Sequence, residues 1–76
     1  MLEKIKELIC NYVEVNPEDI TEDSRFIEDL GFNSYDFISM LGDLETELGV
    51  TVDENEIMEI HTVGEAVKYL NKLKEN

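Results

Sequence analysis

The sequence predicts an all-α protein, a small four-helix bundle with three main helices and one short one. Three observations predict it. Apolar residues recur at helical spacing in separate stretches, capping residues stand ahead of those stretches, and Gly and Pro together number only five among 76 residues.

Leu2, Ile5, Leu8, Ile9 and Tyr12 share one side of a helix, with Glu3, Lys4, Lys6 and Glu7 on the other, so the first dozen residues form an amphipathic helix. A long connection follows from Val13 to Asn33. Within it Asn16 and Pro17 read as the cap and first residue of a short helical turn, Gly31 closes the segment, and Val15, Ile20, Phe26 and Leu30 pin it to the core. A second helix starts at Asn33, which caps it with Asp36 placed to return a hydrogen bond, and runs to Leu48, where Gly49 stops it. Val50 to Val52 is extended. Asp53 with Glu56 forms another capping pair opening a short helix through Ile60, and Thr62 with Glu65 is a full capping box. The last helix behind that box buries Val63, Ala66, Val67, Leu70 and Leu73. Short connections set neighbouring helices antiparallel.

A chain of this length has room for one compact domain, spanning residues 1–76, and is too small for a deep catalytic cavity. Nineteen acidic residues face six basic ones, a net charge of −13 that repels nucleic acid and anionic membranes and favours basic protein partners. The acids are not evenly placed. From Phe26 to Val67 there are eleven Asp or Glu and no Lys or Arg. A lone Cys10 forms no internal disulfide, the first ten residues lack a signal-peptide core, and no apolar run approaches a membrane span, so the expectation is a soluble cytoplasmic protein.

The second helix has two apolar faces. Phe37, Met40, Leu41, Leu44 and Leu48 form the core stripe, whereas Tyr35, Ile38 and Gly42 lie opposite. Gly42 costs a helix interior about 1 kcal/mol relative to Ala, which points to a close approach there. The plainer reading is scattered surface apolar residues and a tolerated glycine.

The segment Asp29-Leu30-Gly31-Phe32-Asn33-Ser34-Tyr35, ahead of this helix, resembles the attachment motif of acyl carrier proteins, Asp-Leu-Gly-x-Asp-Ser-Leu. Phe26, the acidic second helix, the short Asp53 to Ile60 segment and Thr62-Val63 also fall where that family has counterparts, so the resemblance covers essentially the whole chain. It implies a carrier of acyl-carrier-protein type, not an enzyme, with phosphopantetheine attached covalently to Ser34 by a phosphopantetheinyl transferase that uses coenzyme A. It further implies a monomer that presents thioester-bound cargo to acyl-processing enzymes with basic docking patches, in fatty-acid, polyketide or related biosynthesis. Three positions depart from the family pattern. Asn33 replaces the usual Asp, Tyr35 the usual Leu, and Ser39 stands where many fatty-acid carriers have an acid.

Taken alone, Ser34 is a serine near a helix cap. The competing reading of the chain is an acidic helical interaction module that docks through Tyr35 and Ile38 and carries no prosthetic group. A hydrolase built on Ser34 or Cys10 with His61 lacks an orienting third group. Calcium loops starting at Asp19 or Asp53 place Ser24 or Met58 where the required glycine belongs, so no metal site is expected.

Overall fold

The computed structural model describes residues 1–75. In chain order its helices are α1 (Leu2–Tyr12), a single 3₁₀ turn (Pro17–Asp19), α2 (Ser34–Leu48), α3 (Glu54–Ile57) and α4 (Val63–Glu75). Among the described residues there is no β-strand beyond one isolated antiparallel bridge between Arg25 and Thr62. Helix α1 packs against both α2 and α4, and the 3₁₀ turn folds back onto it.

The core consists of the helical stripes together with the long connection. Ile5 and Ile9 of α1, Met40, Leu41 and Leu44 of α2, and Val63, Ala66 and Leu70 of α4 are almost entirely removed from solvent. Ile20, Phe26 and Leu30 are buried as well, so the connection is anchored; Val15, Val67 and Leu73 are only partly covered. Phe32, the unspecified residue of the attachment motif, is a core residue that the spacing did not single out. Its ring meets Phe26 edge-on at 5.7 Å and lies 6.0 Å from Tyr12, while Phe26 and Phe37 are 4.9 Å apart. Edge and tilted contacts of this kind contribute roughly 0.5–1.5 kcal/mol each beyond the buried area. Gly31, at φ 82, supplies the left-handed turn that sends Phe32 inward, and the Phe32 N–H then donates to the Phe26 carbonyl at 2.9 Å.

The connection is tied down by backbone. Phe26 N–H donates to the His61 carbonyl (3.0 Å), Val63 N–H to Ser24 (2.9 Å) and Gly64 N–H to Glu22 (2.8 Å), so residues 22–26 run antiparallel beside 61–64. Each of these bonds satisfies a group that would otherwise be orphaned at the start of α4 or in the loop. Gly64 is required by the close approach: a Cβ there would stand 3.0 Å from the Glu22 carbonyl oxygen.

Asn16 stands at the N-cap of the 3₁₀ turn without a side-chain cap bond, and the caps of α3 and α4 follow the sequence in part. Thr62 and Glu65 form the full reciprocal box, the Glu65 N–H donating to Thr62 Oγ1 (3.2 Å) and the Thr62 N–H to Glu65 Oε1 (3.1 Å). The His61 N–H adds a third bond, and these N–H donors hold the Glu65 carboxyl below the usual carboxylate range. At α3, Asp53 accepts from the Asn55 N–H (2.7 Å), but the return bond to the Asp53 N–H comes from the Tyr69 hydroxyl (2.8 Å) instead of Glu56. α3 also ends at Ile57, not Ile60; Met58 and Glu59 form a turn that lets Ile60 reach the core. Helix α2 ends as expected at Gly49, with φ 67.

Two glycines in helices give opposite expectations. Gly42→Ala should raise stability by up to about 1 kcal/mol, because its Cβ would meet nothing within 4 Å. Gly64→Ala should lower it by about 1–3 kcal/mol through overpacking against Glu22, and urea unfolding of the two variants checks the signs.

The Tyr12 hydroxyl donates to Asp43 Oδ2 at 2.5 Å, and that bond, then burial and the charges of Asp43 and Asp36, push its pKa from the ordinary 10.0 to about 12. A raised folded-state pKa makes this contribution complete below the unfolded value and lost as pH rises through the folded one. Wild-type stability should therefore fall between about pH 10 and 12, and Tyr12→Phe should lose less over that window in pH-dependent urea titrations.

Candidate functional site

Ser34 is the first residue of α2 and is exposed. Asn33 precedes it in extended conformation, φ −98 and ψ 170, and its Oδ1 accepts the Asp36 N–H at 2.8 Å. The expected return bond from Asp36 to the Asn33 N–H is not formed among the described residues. The Asn33 carbonyl accepts the Phe37 N–H at 3.0 Å, the first bond of the helical ladder. The N–H groups of Ser34 and Tyr35 consequently have no partner among the described residues. They point out of the positive end of a 15-residue helix, beside an accessible hydroxyl.

Ser34 stands at the rim of a groove between α2 and α3 with a volume near 460 Å³. Phe37, Ile38, Ile57 and Ile60 line it, Ile27 and Met58 stand at its edges, and Glu54 and His61 add polar atoms. Ile27 and Met58 are 50% and 77% exposed, and sequence reasoning passed over both. A signal for Met58 was present: Ile57 and Ile60 share the inward face of Glu56-Ile57-Met58-Glu59-Ile60, which turns Met58 outward. No comparable pattern marks Ile27.

Tyr35 and Ile38, placed opposite the core stripe by the helical wheel, are 80% and 58% exposed. At Gly42, between them and the end of the helix, an added Cβ would meet nothing within 4 Å among the described residues. His61 is among the residues lining the groove, whereas Cys10 is half-buried on α1 with its Sγ 3.5 Å from the Val15 carbonyl. No hydrogen bond joins Ser34 to His61 among the described residues. Nor do any three His, Cys, Asp or Glu there form a metal-holding group, and no described helix is long and apolar enough to cross a membrane.

A helical bundle that presents an exposed serine hydroxyl at a helix start, beside an apolar groove, has the arrangement of a carrier of covalently held cargo. Over residues 3–70 the sequence matches the family described as the phosphopantetheine attachment site. Its fold is similar to that of an acyl carrier protein from Enterococcus faecalis studied for its high thermal stability. The TM-score is 0.83 at 26% identity, covering 95% of this chain and 91% of that one. The chain belongs to the phosphopantetheine-binding acyl carrier protein family, and phosphopantetheine is its expected covalent prosthetic group. Such carriers are not enzymes, and membership decides against the module without a prosthetic group.

The residues present fit that group. A phosphodiester on an exposed hydroxyl here would meet two unpaired N–H donors, and the adjoining groove offers apolar surface to a flexible chain.

The two sides of α2 should separate in mutagenesis. Leu44→Ala, at a site with no exposure, should cost about 2–5 kcal/mol, while Ile38→Ala should stay within about 0.5 kcal/mol of wild type in thermal unfolding.

Proposed function

We propose that this protein is an acyl carrier whose phosphopantetheine arm is joined to Ser34, and that it presents thioester-bound intermediates to enzymes of fatty-acid, polyketide or related biosynthesis as a cytoplasmic monomer. One observation carries the reading. Within the attachment motif, the Ser34 hydroxyl at the first position of α2 is exposed, beside N–H groups unpaired among the described residues and at the rim of an apolar groove.

The group supplies a terminal thiol on which acyl chains are held as thioesters, activated at the carbonyl and the α-carbon. This chain's own residues do the rest. Asn33 fixes where α2 begins, so the Ser34 hydroxyl faces solvent and a transferase can reach it. The Ser34 and Tyr35 N–H groups complement the phosphodiester's negative charge. Phe37, Ile38, Ile57 and Ile60 shelter apolar cargo from water, with Met58 and Ile27 as the flanking walls. Partner enzymes with basic surfaces are drawn by the net charge of −13, carried mostly by the segment from Phe26 onward.

Incubation with coenzyme A and a broad-specificity phosphopantetheinyl transferase should add one arm to the wild-type protein and none to Ser34→Ala, as read by intact mass. Ser34 makes no side-chain hydrogen bond among the described residues, so the alanine variant should remain folded. Asn33→Asp should accelerate the modification by restoring the carboxylate of the family motif. An alanine variant that is still modified would refute the assignment of Ser34.

A further inference from the structure

The groove beside Ser34 does not lead into the core. Phe37 forms its floor, a ring only 9% exposed that lies 4.9 Å from Phe26. Phe26 meets Phe32 edge-on at 5.7 Å, and Phe32 lies 6.0 Å from Tyr12, whose hydroxyl donates to Asp43. This chain of rings runs from α2 through the long connection to α1 and back to α2, so Phe37 cannot swing aside without disturbing several packed neighbours. Met40, Leu41 and Leu44, on the next turns of the same stripe, are at most 1% exposed and line no part of the groove.

One end of the groove is closed as well. A second hollow, near 560 Å³, adjoins it, and the two share Ile27, Phe37, Ile60 and His61. Phe37 and Ile60 are buried and make a common floor, whereas Ile27 is the exposed apolar residue that stands between the hollows. Beyond it the second hollow is lined by Arg25 and Glu28, an ion pair at 2.6 Å. An alkyl chain gains little by pressing against paired charges that water solvates better.

We propose that Phe37 and Ile27 decide which cargo this carrier shelters: Phe37 bars an acyl chain from the core, and Ile27 stops it at the end of the groove. The inference rests on the carrier reading and names the cargo class as alkyl acyl groups short enough to end at Ile27. Continuity with Ser34, at the rim of the same groove, brings the arm and its cargo there. Each methylene that enters the groove leaves water and stabilises the folded protein, and each one beyond Ile27 adds nothing.

The test loads the wild-type protein with acetyl, butanoyl, hexanoyl, octanoyl, decanoyl and dodecanoyl arms from the matching acyl-coenzyme A, using a broad-specificity phosphopantetheinyl transferase. Intact mass verifies each loading, and thermal unfolding is followed for each form. The wild-type midpoint should rise along the series and level off before dodecanoyl. Ile27→Ala should level off at least one member later and Ile27→Phe at least one member earlier, the position being exposed and tolerant of both. Tyr35→Ala, exposed but outside the groove, should level off where the wild type does. A change in stability alone moves every midpoint together and leaves the levelling point in place. With the terminal methyl of dodecanoyl labelled, nuclear Overhauser contacts to Met40, Leu41 and Leu44 should be absent in the wild type and appear in Phe37→Ala. Phe37→Leu, which keeps more of the packing, should show the same contacts more weakly. A wild-type midpoint that climbs through dodecanoyl, Ile27 variants that level off with the wild type, or wild-type contacts to Leu44 would overturn these roles and leave the attachment at Ser34 standing. A wild-type chain that takes up an arm from none of these donors would defeat the carrier reading itself, and this inference with it.

Discussion

The antiparallel run of residues 22–26 beside 61–64 is the constraint on which the rest of the molecule depends. Three backbone bonds join a loop without regular structure to the start of α4, and Gly64 exists to let the two backbones meet. With the loop fixed there, Phe26 is driven into the core and Phe32 and Phe37 pack on its ring. Phe32 and Phe37 bracket Asn33 and Ser34, so the position of the serine follows from the aromatic cluster. A long loop would ordinarily be the mobile part of a small domain. Here it is part of the scaffold that holds the proposed attachment residue, Ser34.

Helix α2 divides its work by angle. One stripe, Phe37 to Leu44, makes the core; Asp43 and Glu47 bond to α1 and Glu45 to the following loop; Tyr35 and Ile38 stand exposed. Helix α3, only four residues long, closes the groove and is braced by the Tyr69 hydroxyl, which accepts the Asp53 N–H and lies 3.4 Å from Glu56. Burial pushes the Tyr69 pKa upward. The wall of the groove therefore depends on α4 as much as on its own short helix.

Much of this was legible in the residues. Amphipathic spacing gave the two long outer helices and the core face of α2, and Asn33, Gly49 and the Thr62 box marked boundaries that the structure reproduces. What escaped notice came from tertiary contact. Phe32 looked like an unspecified motif position because a loop has no period from which to read burial. The short helix stops at Ile57 because Ile60 must turn inward, and Tyr69 replaces Glu56 in the cap because it reaches across from a helix 16 residues away. The orientation of the α2 acids was also hidden, since counting charges along a segment does not say which neighbour each side chain meets. Ser34 is proposed from its motif, and the N–H groups unpaired among the described residues and the groove give that proposal a physical reason.

The mass of the protein isolated from its own cells tests the central claim most directly. The account predicts a chain heavier by one phosphopantetheinyl group, with fragmentation placing that group on Ser34. An unmodified chain from cells that contain an active transferase, or a group located on any other residue, would contradict it.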